Sequence, residues 1–469
     1  MPIDLDFQLD RNSPEPYYSQ VVETIRTMIA SGAINPGQRL PTIRKLASQL
    51  EVSPLTVFEA YRVLRRLNLV ESTVGRGTSV TKLIRGVEGI EFLRQAPRKQ
   101  LDMLFEVIAA QSNVRSMATS VADTSYFPAD EFIAGIDELR REQHWSFYYA
   151  PGDGAHVYLE AVASILTSSA AHCSADQLVA TLGGRNGLRL LASEFVGSGS
   201  SVVIEGYQAL GHQGLWSSTG VKSVIIPRID RKSDFDTLEK VKDAKAIYVA
   251  SGGCPATGRV MDMDDRLRLL RLASKKGWIV IDDASYALVR YGQQFPSLSS
   301  LDTNVMEVGT FTTNLAPGLR LGYLKLPSNA RKQIIGRIHD EDAGGPLYAQ
   351  LAFSKFVENG GYRSHMSRVL PKYQIRRDSL IQALKSSMGG LATWSIPMAG
   401  LSVGLHLEKR VNQEALFDAC LTNGFAFCPG SYLCHPSESD RFIRLSFGNQ
   451  RKESVRQAIM TFADLVRTI

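Results

Sequence analysis

Paired cysteines, long apolar runs and low-complexity tracts are all missing from this sequence. Its five cysteines, Cys173, Cys254, Cys420, Cys428 and Cys434, are an odd number with no Cys-x-x-Cys spacing. That argues against a disulfide framework and a cysteine-based zinc site, and for a reducing cytoplasm. No uncharged apolar stretch approaches the ~18 residues of a membrane span. The first residues, Met1-Pro2-Ile3-Asp4-Leu5-Asp6, are acidic where a secretory leader is basic and then apolar. No internal repeat is present. What is there, 44% hydrophobic and 21% charged residues over 469 positions, is the composition of a soluble globular protein long enough for more than one domain.

Net charge is only +6, but it is unevenly spread. Between Arg26 and Lys82 nine basic residues face three acidic ones, Glu51, Glu59 and Glu71, and the rest of the chain is nearly neutral. A localised basic face is the electrostatic footprint of a nucleic-acid partner, although a solvated charged face gives the same count.

The same segment has helical periodicity. Tyr18, Val21, Val22, Ile25 and Ile29 predict an amphipathic helix from Pro16 to Ala30, ended by Gly32 and the turn Asn35-Pro36-Gly37. A second helix is expected from Thr42 to Leu50, with Thr42 as N-cap. A third starts after Ser53 and puts Val57, Tyr61 and Leu64 on one face. Leu69 to Val80 alternates around Gly75 and Gly77, which predicts a two-stranded wing. Lys82 to Gln100 loses periodicity and gathers charge, the pattern of a linker. A helix is expected over Leu101 to Ile108.

Further on, short β-rich runs alternate with helical stretches. They are Gln177 to Thr181, Ser201 to Glu205, Val221 to Pro227, Ala246 to Ala250, Trp278 to Asp282, Val305 to Val308 and Leu319 to Leu326. Such alternation predicts an α/β sheet whose ligands gather beyond the C-terminal ends of the strands.

Both halves resemble a known family. Pro36-Gly37-Gln38-Arg39-Leu40-Pro41, Leu46-Ala47, Val52-Ser53-Pro54-Leu55-Thr56-Val57 and Gly75-Arg76-Gly77-Thr78 resemble the winged helix-turn-helix of GntR regulators. Thr310-Phe311-Thr312-Thr313-Asn314-Leu315-Ala316-Pro317-Gly318-Leu319-Arg320-Leu321-Gly322-Tyr323 resembles the active-site segment of fold-type I pyridoxal-phosphate enzymes, in the version found in MocR-type GntR regulators. That family segment reads Ser/Thr-Phe-Ser-Lys-Thr-Leu-Ala-Pro-Gly-Leu-Arg-Leu-Gly-Tyr. Here Thr313 stands where the family has the lysine that joins the cofactor aldehyde. A hydroxyl cannot replace an amine in that reaction.

The resemblance implies an N-terminal winged helix-turn-helix over residues 1–82, a linker over 83–100, and a large α/β fold-type I aminotransferase-like domain over 101–469, with a small C-terminal subdomain from about 365. It implies DNA contact by Arg44, Ser53, Thr56, Arg65, Arg66 and Arg76, with Arg39 a further candidate. A solvated helix end is the alternative for Arg65 and Arg66. Pro54 stands where many members have arginine.

For the cofactor, the resemblance implies phosphate binding by Gly183, Gly184, Arg185 and Arg320, a suitable task for helix-start amides and guanidinium. Asp283 would face the pyridine nitrogen and Tyr286 the ring hydroxyl. Cys254 takes the place of the asparagine that bonds the same hydroxyl. Tyr207 would stack on the ring, with core packing as its alternative. Arg444 would clasp a ligand carboxylate or meet an internal one. Tyr149 to Gly154 resembles the family's Gly-rich entry loop. No metal site is expected.

The implied protein is a homodimeric regulator on a double-stranded DNA operator, sensing an amino acid, an amine or a vitamin B6 form, without Schiff-base catalysis. An active aminotransferase with an accessory N-terminal domain is the alternative. Three states stay open for the pocket: pyridoxal phosphate held without a covalent bond, another anion, or no ligand.

Overall fold

A computed structural model describes residues 5, 7, 9–11, 16–30, 34, 37–66, 69–73, 77–80, 115–141, 149–168, 173–226, 229, 232–341, 345–434, 439–449 and 452–469. They divide into two compact units, one within residues 1–115 and one running from Ser116 to Ile469. The expected linker over 83–100 and the helix over 101–108 lie outside the described residues.

The first unit holds three helices, α1 (Tyr17–Ala30), α2 (Ile43–Gln49) and α3 (Pro54–Arg66), then the antiparallel strands β1 (Val70–Thr73) and β2 (Gly77–Val80). The starts follow from capping chemistry. Thr42 Oγ1 accepts from Lys45 N at 3.3 Å, and Ser53 Oγ accepts from Thr56 N at 3.1 Å with Pro54 at the first helical position. Val21, Ile25, Leu40, Leu46, Val57, Ala60, Leu64 and Val80 form one buried cluster, so each helix contributes its apolar stripe to a common core.

After β3 (Arg115–Ser116), where the described chain resumes, the second unit is built on a seven-stranded sheet. Its strands are β4 (Leu178–Thr181), β5 (Ser201–Glu205), β6 (Lys222–Ile226), β7 (Ala246–Val249), β8 (Ile279–Asp283), β9 (Met306–Thr310) and β10 (Gly322–Lys325), in the order β4-β10-β9-β8-β7-β5-β6. All seven expected strands are present. Only β10 runs against the others, antiparallel to both β4 and β9. Both faces are buried. Along β5, Val202 and Ile204 join one cluster with Leu188, Trp216 and Tyr248, while Val203 joins another with Ile247, Leu269 and Val280.

A smaller antiparallel sheet has the order β11 (Ala392–Trp394), β12 (Ser402–Leu407), β15 (Phe442–Ser446), β14 (Cys428–Pro429), and β13 (Phe425–Ala426) precedes β14. A 27-residue helix, Gly361–Ser387, packs with the helix Lys452–Thr468 beside it. Among the described residues no helix is long and apolar enough to cross a membrane, and no group of three His, Cys, Asp or Glu side chains is placed to hold a metal.

One expectation is corrected here. The strand read from Leu319 begins only at Gly322. Pro317–Leu319 is a turn of 3-10 helix, and Arg320 follows it in the left-handed conformation, φ 54° and ψ 36°. The Pro-Gly pair starts a turn, and the strand forms only where pairing to Thr181 and Thr310 begins.

Candidate functional site

On the first unit, Arg39, Arg44 and Arg65 are exposed, as is Ser53, and Thr56 is half-buried. Ser53 and Thr56 also share a hydroxyl–hydroxyl bond of 2.9 Å, so both act in the cap of α3. The segment before α2 lies along the wing. Leu40 N donates to Thr78 O and Val80 N to Gln38 O, which places Arg39 opposite Ser79. Basic groups on α2, α3 and the wing-side segment thus belong to elements that share one core. Arg76 and the side chain of Arg66 lie outside the described residues.

In the second unit the expected pocket gathers at the C-terminal ends of β4, β8 and β9. After β4, Gly183 (φ +86°) precedes the helix Gly184–Leu191. Arg320 Nη2 donates to Leu182 O at 2.6 Å, which draws the guanidinium to this turn. A Cβ placed on Gly183 would lie 3.6 Å from both Arg320 Nη2 and Thr310 Oγ1, and one on Gly184 would lie 3.3 Å from Ser285 Oγ. Thr312 N and Oγ1 meet Thr310 Oγ1 at 3.1 and 3.0 Å. Helix-start amides, a guanidinium and hydroxyls therefore converge on the glycine turn, a donor set suited to a phosphate dianion. Arg185, the next residue, is exposed. Ser285, Thr310 and Thr312 were missed in the sequence reading; their signal was hydroxyl residues at or just past the ends of two neighbouring strands.

Thr313 is 6% exposed and its hydroxyl donates to Ser285 O. Asp283 is buried at the end of β8, where Oδ2 accepts from Tyr248 Oη at 2.5 Å and Oδ1 from Ser285 N at 2.9 Å. Burial, followed by the charge of Asp283, holds the Tyr248 hydroxyl well above its ordinary value, so it stays a donor. Sequence reasoning missed Tyr248 because a tyrosine in an apolar strand reads as core.

Other expected residues take different partners. Tyr286 Oη donates to Ser120 O at 2.5 Å, and burial raises its pKa. Cys254 is 1% exposed inside a tight turn, its N–H donating to Arg259 O and its carbonyl accepting from Gly258 N. Burial raises its thiol pKa, against the opposing bonds of Thr257 and Ala256. Arg444, buried on β15, donates through Nη2 to Ala118 O at 2.6 Å. Tyr207 packs against Phe442 with ring centroids 4.6 Å apart, and its hydroxyl lies 3.1 Å from His406 Nε2. The small sheet thus offers Tyr207 an aromatic wall.

Comparison with known proteins agrees with this architecture. Residues 17–80 match the model of the bacterial regulatory proteins of the gntR family, and residues 121–462 match aminotransferase class I and II. The probable rhizopine catabolism regulatory protein MocR of Rhizobium meliloti is 26% identical, with 96% of this chain and 94% of that protein covered. Among solved structures, Pyrococcus horikoshii kynurenine aminotransferase has a TM-score of 0.73 at 22% identity, covering 78% of this chain and 94% of that one. The α-aminoadipate aminotransferase LysN of Thermus thermophilus, solved with N-(5'-phosphopyridoxyl)-L-leucine, has a TM-score of 0.69 at 22% identity over 76% and 92% of the two chains. The fold of the second unit is therefore that of a pyridoxal-phosphate-binding domain. The chain belongs to the aminotransferase class I and II family and, with its GntR winged helix-turn-helix in front, to the MocR-type transcriptional regulators.

Proposed function

We propose that this chain is a homodimeric, DNA-binding transcription regulator whose aminotransferase-like unit binds a phosphate-bearing small molecule without bonding to it covalently. The observation that carries the reading is a contrast within one pocket. In support, groups able to donate to a phosphate gather at Gly183, Gly184, Thr310 and Arg320, while position 313, matched to the family lysine, bears a hydroxyl committed to Ser285 O.

Pyridoxal phosphate fits the residues present in part. Arg320, the amides opening the helix after Gly183, and the hydroxyls of Ser285 and Thr310 would hold its phosphate, and Asp283 would hold a proton on its pyridine nitrogen. When bound, the group supplies an aldehyde on an electron-withdrawing ring; the chain offers no amine at Thr313 to meet it. Asp283 is supported in this role by two donors, Tyr248 and the Ser285 amide, which fix the orientation of its carboxylate. Pyridoxal phosphate, pyridoxamine phosphate and phosphate-bearing adducts of an amine or amino acid are the effector class.

On the DNA side, Arg44 and Arg65 would lie on phosphates and α3 in the major groove. An effector shifts operator affinity only by binding one arrangement of the dimer better than another, a coupling of about 1 to 3 kcal/mol.

The test is an absorbance titration of the full-length protein with pyridoxal phosphate, followed by borohydride reduction and a mass measurement. Saturable binding with unchanged protein mass is expected. A borohydride-fixed adduct at a single lysine would overturn the non-covalent reading, and no saturable binding of pyridoxal phosphate or pyridoxamine phosphate would overturn the retained phosphate site.

A further inference from the structure

The outer face of α3 has a composition that phosphate contact does not explain. Leu55 is 72% exposed and Phe58 49% exposed. They stand three residues apart, and Arg62 and Arg65, also exposed, continue the same face. Val57, Ala60, Tyr61 and Leu64 fill the opposite, buried face, so the core of the unit has no place for Leu55 or Phe58. The stripe is therefore apolar over the start of the helix and cationic toward its end.

Its surroundings point to one kind of occupant. Arg39, Arg44, Lys45 and Arg65 are exposed on the same unit, and the only nearby acid on α3, Glu59, pairs with Arg62 at 2.5 Å. A surface so cationic is complementary to a polyanion. On the floor of a DNA major groove one base feature is apolar, the C5-methyl of thymine. The edges of guanine offer acceptors, which Leu or Phe would bury without a donor. At the first helical position, Pro54 adds neither a guanidinium nor a backbone N–H to satisfy them.

We propose that Leu55 and Phe58 read thymine methyl groups, making the first turns of α3 selective for T·A pairs at neighbouring positions of each half-site. The three-residue separation spans about 4.5 Å along the helix axis. A base step rises about 3.4 Å, so the two side chains address adjacent or next-adjacent pairs. The inference rests on the DNA-binding reading and adds to it which bases are chosen.

The test uses the full-length protein to select duplexes from a random-sequence library. Selected duplexes are rebuilt with deoxyuridine replacing thymidine at one position at a time, which removes a methyl and leaves every hydrogen-bonding edge unchanged. Each contacted methyl should be worth about fourfold in affinity, the value of one buried methyl group. Leu55→Ala and Phe58→Ala together should abolish the thymine–uracil difference while leaving the melting temperature near that of the parent, because both side chains are exposed. Retained duplex with equal affinity for thymine and uracil forms at every position would overturn this proposal alone. A thymine preference that survives the double variant would overturn it too, as would a variant that changes only the oligomeric state. Failure to retain any duplex at low salt would overturn the DNA-binding reading and this one together.

Discussion

The hydroxyl of Thr313 donates to the backbone carbonyl of Ser285, tying the turn after β9 to the turn after β8. The bond is part-buried, so Thr313→Val should leave the carbonyl without this partner and cost about 1 kcal/mol, measurable by urea unfolding. Thr313→Lys should restore an amine at the same place. With pyridoxal phosphate and borohydride that variant should gain one covalent adduct that the parent does not. A variant that stays folded and gains none would show that the ring end of the pocket has been remodelled.

Arg320→Gln removes the guanidinium at the Gly183 turn, and binding of phosphate esters should fall at least tenfold while the unphosphorylated forms change little. Gly322→Ala tests the same turn from below. Its new Cβ would lie 2.7 Å from Gly183 Cα and 2.8 Å from Gly309 O, both backbone, so neither can swing away. A loss of about 1 to 3 kcal/mol in stability is expected, together with weaker phosphate binding. Calorimetric titration beside a thermal melt separates the two effects.

Arg44 is exposed on α2, and the proposed DNA face would include its charge. Arg44→Gln should weaken binding to all duplex sequences by a similar factor and lower the slope of log affinity against log salt by about one. A sequence-dependent loss with an unchanged slope would mean that Arg44 reads a base edge.

Asp282 accepts from Ser251 N at 3.0 Å and Ser251 Oγ at 2.7 Å. Burial, and next the charge of Glu307, push its carboxyl up to about 6, while Arg266 and the Ser251 bonds pull the other way. The folded value lies above an unfolded one of about 3.9, so the folded state holds the proton more tightly. Its stabilising contribution is thus fully present below about pH 4, is lost as pH rises through about 6, and is constant above. The unfolding free energy of the parent relative to Asp282→Asn should fall by about 2 to 3 kcal/mol from pH 4 to pH 7. A flat difference across that window would contradict the shift.

Much of the architecture was legible because its causes are local. Thr42 and Ser53 announced two helix starts through their side-chain oxygens, and the seven strands of the large sheet stood out as short β-rich runs between helices. The site was less legible because its partners come from far along the chain. Tyr286 gives its hydroxyl to Ser120, Asp283 takes one from Tyr248, and Tyr207 turns to Phe442 and His406. No periodicity encodes such pairs. The left-handed Arg320 was hidden for another reason: an apolar run on both sides of it read as one strand.

The bond from Arg320 to the Leu182 carbonyl gives this arginine two employers. One is the phosphate proposed for the glycine turn; the other is the fold, because the same guanidinium pins the end of β4 to the turn that feeds β10. Selection for folding alone is enough to preserve it. A lineage could give up its cofactor chemistry at position 313 and still inherit an intact anion cradle, ready to be put to work on a different phosphate ester.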